Sequence, residues 1–195
     1  MSEPLLDREG ILAALRALDK ELERTDTRAQ LFVVGGAAIA LAFNTRRITR
    51  DVDAVFEPKS VVLAAARRVA AQLGLPDDWL NDAVKGYLPG ADPDAQPVLS
   101  LPNLEVAAGS GRYLLALKLL ATRIGEDDDD IKMLLDYESI TSVDEALDLV
   151  VSFYPAQQIQ PKTQFFLEEL LGPTFQRLEG EEVPAPPTMR RTLRP

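Results

Sequence analysis

The sequence predicts an α/β protein, a small mixed β-sheet with flanking helices followed by a helical C-terminal part. Three observations predict it. Apolar runs of strand length lie at 31–34, 98–101 and 104–107, and residues 51–56 form a further β-like run. Before and between them, leucines and alanines recur at helical spacing. After Gly109-Ser110-Gly111 the remaining elements read as helices. The chain therefore divides into a core over 1–108, a helical part over 109–171 and a flexible tail over 172–195.

In order, residues 8–23 place Ile11, Leu12, Leu15, Leu18 and Leu22 on one side, an amphipathic helix that covers a core. Residues 25–29 turn into the strand at 31–34. Gly35-Gly36 breaks that strand, and the Ala-rich segment 37–43 reads as a helix. Pro58-Lys59-Ser60 starts a helix, with Ser60 or Glu57 near its cap, that runs through 61–73 and stops at Gly74 with Pro76 beyond. Asp77-Asp78 cap a short helix over 79–84. Residues 86–97, rich in Pro, Gly and Asp, form a loop before two short strands joined by Pro102-Asn103. Helices then follow at 112–124, 128–137, 142–154 and 161–171, the third opened by a Ser142/Glu145 capping box. From 172 onward apolar residues thin out, as in a flexible tail.

Composition removes whole classes of chemistry. The 195-residue chain has no Cys and no His. Disulfides, thiolate zinc sites, cysteine nucleophiles, Ser-His-Asp triads and His-bound metals are thereby excluded. Acid–base work falls to Asp, Glu, Lys or Tyr, and any metal is held by oxygen, which points to magnesium or manganese. No apolar run is long enough to span a bilayer, and Glu3, Asp7 and Arg8 do not read as a signal peptide, so a cytoplasmic protein without membrane contact is expected. The net charge of −10 argues against a whole-surface nucleic-acid binder but leaves room for a local basic patch. Arg46, Arg47 and Arg50 form one such cluster; Arg190, Arg191 and Arg194, in the tail, read as solvated charge.

The stretch 30–56 gathers the chemistry. Gly35-Gly36 lets the backbone approach a ligand, and the helix start behind it offers N–H groups to phosphate. A tight strand-to-helix turn accounts for the same two glycines. On a strand, Asp51 and Asp53 share one face, where two carboxylates repel unless a cation separates them. A solvated acidic edge would do the same, but Val52, Ala54, Val55 and Phe56 suggest a strand packed in a core.

Val34-Gly35-Gly36, a helix, then Asp51-x-Asp53 on the next strand resembles the polymerase-β-like nucleotidyltransferase superfamily. The commoner second small residue there is Ser, where this chain has Gly36. Arg47-x-Thr49-x-Asp51-x-Asp53, Trp79-Leu80-Asn81 and the segment 114–121 with Arg123, Asp127 and Asp130 narrow the resemblance to bacterial nucleotidyltransferase toxins of AbiE type, particularly MenT-type. This likeness covers roughly 30–171 and makes 1–108 the nucleotidyltransferase core.

The resemblance implies that Asp51 and Asp53 bind Mg2+ or Mn2+, that Gly35 and Gly36 grip the triphosphate, and that Arg47, Lys118 and Arg123 meet its charge. Lys118, in its Leu-rich frame, could equally be a lysine snorkelling past apolar surface. Asp127 and Asp130 match acidic positions of the family motif, although acids at a helix start are also favoured by the dipole. Glu105 lies on a late strand where related enzymes place a third metal carboxylate, and a solvated strand face explains it equally. The implied reaction transfers a nucleotide from an NTP to RNA, with the tRNA 3′ end the expected acceptor, blocking translation under control of a cognate antitoxin. Two rivals stand beside it: a protein or small-molecule acceptor such as an aminoglycoside, and an inactive nucleotidyltransferase-like binding module. Thr49, two residues before Asp51, is a candidate phosphorylation site, since a phosphate there would crowd the carboxylates and compete for Arg47; an unmodified β-branched strand residue is the alternative.

Overall fold

The computed structural model describes residues 5–43, 46–121, 123 and 125–172. The tail expected over 172–195, with Arg190, Arg191 and Arg194, lies outside them from 173 onward. In chain order the elements are α1 (Arg8–Glu23), β1 (Ala29–Val33), α2 (Gly35–Ala42), β2 (Val52–Glu57), α3 (Lys59–Leu73), β3 (Leu80–Asn81), β4 (Gln96–Ser100), β5 (Leu104–Ala108), α4 (Gly111–Ala121), α5 (Asp128–Tyr137), α6 (Val143–Phe153) and α7 (Pro161–Leu171). Short 3-10 turns add residues 83–87 and 156–158. Among the described residues no helix is long and apolar enough to cross a membrane.

The sheet is mixed, as expected, in the order β3-β2-β1-β5-β4. β1 runs parallel to β5 and antiparallel to β2, which places the end of β1, the end of β5 and the start of β2 together at one end of the central strands. Strand alternation then separates two faces. Leu31, Val33, Val52, Ala54, Phe56, Leu104, Val106 and Ala108 are buried against α1 and α3. Phe32, Asp53, Val55 and Ala107 lie on the other, half-covered face. There Phe32 meets Tyr113 of α4 edge-on at 5.4 Å, and Tyr113 meets Phe153 of α6 at 5.6 Å. One hydrophobic core takes residues from Leu6 through Leu167, so the C-terminal helices complete the core.

Local chemistry explains most boundaries. Asp7 caps α1 by accepting from the Gly10 N–H at 2.8 Å, and the Ser142/Glu145 capping box starts α6 as expected. Gly74, at φ +67, ends α3 in the left-handed region. Some expectations need correction. α2 begins at Gly35 rather than residue 37, and α4 begins at Gly111 and ends at Ala121; Ile124, the expected helix end, lies outside the described residues. Pro58 is the cap residue of α3, and of the two residues expected near that cap Glu57 takes part, its carboxylate accepting from the Lys59 N–H at 3.3 Å. The helix expected over 79–84 is instead β3 followed by a 3-10 turn. Burial decides this: Trp79 is fully enclosed, donates from Nε1 to the Ala66 carbonyl at 3.0 Å, and its own carbonyl accepts from the Val52 N–H. Extending the sheet satisfies more of this backbone than one helical turn would.

Candidate active site

The turn from β1 into α2 is built against the first residues of β2. Val34 N–H donates to the Asp53 carbonyl at 2.9 Å, which holds the turn beside that strand. Gly35 takes φ +64, and a Cβ there would stand 3.3 Å from Asp53 Oδ2. Only glycine adopts this backbone readily while leaving the carboxylate its place. Its neighbour Gly36 opens the buried, Ala-rich α2, and a Cβ on it would stand 3.1 Å from Thr49 Oγ1. The first N–H groups of α2 have no partner within the helix, and Gly35 and Gly36 line the same cavity as Asp53.

Asp51 sits just before β2 and Asp53 within it, both half-buried and both lining one cavity. Asn81, paired with Asp53 in the register of β2 and β3, donates from Nδ2 to Asp51 Oδ2 at 3.0 Å. Burial, and after it the charge of Asp51, hold the Asp53 carboxyl above its usual range. The loop ahead is tied down by two backbone bonds between Thr49 and Leu6, at 2.7 and 2.9 Å, and Thr49 Oγ1 donates to the Asp51 carbonyl at 3.1 Å.

Cations enter from three segments. Lys118 on α4 is almost enclosed, and its Nζ lies 2.5 Å from Asp127 Oδ1 and 2.8 Å from Asp130 Oδ2. Arg47 Nη2 lies 3.1 Å from the same Asp130 oxygen. Asp127 and Asp130, at the head of α5, therefore fix both cations. Arg123 is exposed, 3.9 Å from Glu126, and lines the cavity as well. The cavity, about 790 Å³, brings together Gly35, Gly36, Arg47, Thr49, Asp51, Asp53, Lys118, Arg123 and Asp127. Asp130 stands behind it, through Arg47 and Lys118.

Residues 12–88 match a family model described as "Nucleotidyltransferase of unknown function (DUF6036)". The matched stretch runs from within α1 past β3 and contains the glycine turn, Arg47, Thr49, Asp51, Asp53 and Asn81. Lys118, Arg123, Asp127 and Asp130 lie beyond it. Neither the curated proteins nor the solved structures searched gave a match.

Glu105 is not brought to this cavity. It pairs with Gln30 toward the other end of β5, accepts from Ser100 Oγ at 2.8 Å, and lines a separate cavity of about 450 Å³ with Arg28, Glu57 and Asn103. Conversely, Asn81 entered the sequence reading within a motif, without a contact of its own. Tyr87, Val84, Gln158 and Gln160 also line this cavity and carry no sequence signal for it. Gln158 and Gln160 come from a polar turn more than 100 residues from the glycine pair, and only the packing of the C-terminal helices brings them there.

Proposed function

We propose that the protein is a metal-dependent nucleotidyltransferase that moves a nucleotide from an NTP to RNA, the tRNA 3′ end being the favoured acceptor. One observation carries the reading: two adjacent carboxylates, a glycine turn at a helix start, and Arg47 and Lys118 share one cavity. The donor set fits Mg2+ or Mn2+. Asp51 and Asp53 crowd like charges, and among the described residues no third carboxylate joins them in a closed protein cage. Magnesium is commonly held in this way, by one or two carboxylates with substrate phosphates and water. When bound, the metal supplies charge neutralisation on the triphosphate and activation of the acceptor hydroxyl.

The chain's own groups do the rest. Asn81 orients Asp51, and the α2 N–H groups face phosphate. An ammonium has three donors; Lys118 directs two at Asp127 and Asp130, leaving the third for a phosphate oxygen. Arg47 adds a second fixed cation. The acceptor oxygen bonds to the α-phosphorus, its proton is released, and pyrophosphate leaves with the broken anhydride bond. Arg46 and Arg50, both exposed beside the site, supply the local basic patch that RNA needs on an acidic protein.

The resemblance to MenT-type toxins extends the reading to growth arrest relieved by a cognate antitoxin, which expression alone and with the neighbouring gene product would test. Thr49 lines the cavity beside Asp51, so a phosphate on it would add about −2 charge next to the carboxylates. Full activity in Thr49→Glu would remove that mode of control.

The deciding experiment incubates the protein with Mg2+, each labelled NTP and total cell extract, with Asp51→Asn and EDTA as controls. Protease-resistant label in RNA, lost by several orders of magnitude in both controls, is the expected result. Label lost with protease would replace RNA by a protein acceptor, and parent-level transfer by Asp51→Asn would refute the site.

A further inference from the structure

The lining of the cavity falls into two chemical sets. One is ionic, with Asp51, Asp53, Asp127, Arg47, Lys118 and Arg123. The other is neutral: Val84 and Tyr87 from the 3-10 turn, Leu117 and Leu120 from α4, and Gln158 and Gln160 from the segment before α7. A nucleoside triphosphate has the same division, charged at the phosphates and uncharged at the base.

Two details set Tyr87 apart. The residue is 70 % exposed, yet its backbone is pinned. The Tyr154 hydroxyl donates to the Tyr87 carbonyl at 2.7 Å, and the Tyr113 hydroxyl donates to the Gly90 carbonyl at 2.8 Å. Both tyrosines are buried, and burial pushes the Tyr113 phenol up to about 12 and the Tyr154 phenol higher still, so both stay protonated donors at neutral pH. With the backbone already fixed, only the two side-chain torsions of Tyr87 need ordering when a ring stacks on it.

The glutamines complete the pattern. Gln158 and Gln160 are both exposed, and among the described residues neither carboxamide has a hydrogen-bond partner. A carboxamide presents a donor and an acceptor side by side, the arrangement that reads a base edge.

We propose that the neutral lining forms the nucleobase subsite, in which Tyr87 stacks the base of the NTP and Gln158 and Gln160 read its edge. This rests on the reading of the cavity as a nucleotide site. It adds that one NTP is preferred over the other three, and that the preference is set by residues outside the stretch that matches the family model.

Calorimetric titration with Mg2+ and each of the four NTPs tests it, with inorganic tripolyphosphate as a probe that has no base. Parent protein is expected to bind one NTP about tenfold or more better than the others, and better than tripolyphosphate. Tyr87→Ala should weaken every NTP by about fivefold to a hundredfold, the range for losing one stacked base. Tyr87→Phe, which keeps the face, should bind like the parent. Gln158→Ala with Gln160→Ala should bring the four NTPs within about twofold of one another. Tripolyphosphate affinity should be unchanged in all variants, which also shows that each is folded. Equal binding of NTPs and tripolyphosphate by the parent would overturn the subsite and leave the transferase reading standing. A base preference that survives the double glutamine variant would overturn the edge-reading role. Base-dependent binding without transfer in extract would retain the subsite and reject the proposed reaction. No binding of any NTP would overturn both.

Discussion

Lys118 Nζ lies 2.8 Å from Asp130 Oδ2, and Arg47 Nη2 reaches the same oxygen at 3.1 Å. One buried carboxylate thus joins α4, α5 and the loop before β2, and it holds the two cations that face the cavity. Removing a single member of such a network leaves the others buried with unbalanced charge. Asp130→Asn keeps the shape and removes the charge. It is expected to lower stability by about 1–3 kcal/mol in urea titrations. If Asp130 positions the cations, the KM for NTP rises and Asp130→Glu recovers part of the loss. Unchanged KM in a folded Asp130→Asn protein would leave the network a purely structural role.

Gly36 and Thr49 compete for one space. A Cβ at position 36 would stand 3.1 Å from Thr49 Oγ1 and 3.4 Å from its Cβ. Gly36→Ser, which restores the commoner residue of the resembled superfamily, should therefore destabilise by about 1–3 kcal/mol, as overpacking does. Removing the threonine side chain frees that volume, so Thr49→Ala should recover most of the loss in the double variant. Strict additivity of the two changes in denaturant titrations would exclude the steric account. Gly35→Ala has no such rescue, because its φ of +64 strains any side chain.

Much of the architecture was legible because local signals and burial agree. The capping box at Ser142, the stop at Gly74 and the spacing of Ile11, Leu15, Leu18 and Leu22 each specify an element without help from distant residues. At 79–84 they disagree: Asp77-Asp78 reads as a helix cap, but Trp79 and Leu80 gain more by joining β2 inside the core. The same division holds for the cavity. Gly35, Asp51 and Asp53 come from one short supersecondary unit, so their proximity follows from strand and turn geometry. Glu105 shares a sheet face with Asp53, and only the register, Gln30 opposite both Glu57 and Glu105, shows it to be near the other end. On sequence Lys118 reads as snorkelling or, by the resemblance, as meeting a triphosphate; its ion pairs with Asp127 and Asp130 appear only once α4 packs against α5.

Glu21 clamps α1 to α3. It is buried, accepts from Arg68 Nε and Gln72 Nε2 at 2.6 Å each, and lies 3.1 Å from Arg24. The Arg68 bond first, then Gln72 and Arg24, outweigh burial and hold its carboxyl below the usual 4.5. The unfolded chain therefore takes up this proton at higher pH than the folded one. Its stabilising contribution is complete above about pH 4.5 and is lost as pH falls through the depressed folded value. Glu21→Gln should destabilise by about 1–2 kcal/mol at pH 7, a value reduced for the partial exposure of both arginines. The gap between parent and variant should then close on acidification toward pH 3. A gap independent of pH would assign the effect to packing.

The acceptor is the remaining test of the basic patch. Arg46 and Arg50 are exposed on either side of Arg47 and Thr49, which line the cavity. With a net charge of −10, the rest of the surface repels a polyanion at long range, so RNA affinity must come from this edge and must weaken with salt. Arg46→Ala with Arg50→Ala should raise the KM for RNA while leaving NTP binding unchanged. Each phosphate contact to a single strand contributes a slope of about −0.7 in log K against log salt, so the double variant should flatten that slope by about 1.4. A protein or small-molecule acceptor predicts no such change, because neither releases a condensed counterion layer. The slope therefore separates the acceptor classes even where the change in KM alone would not.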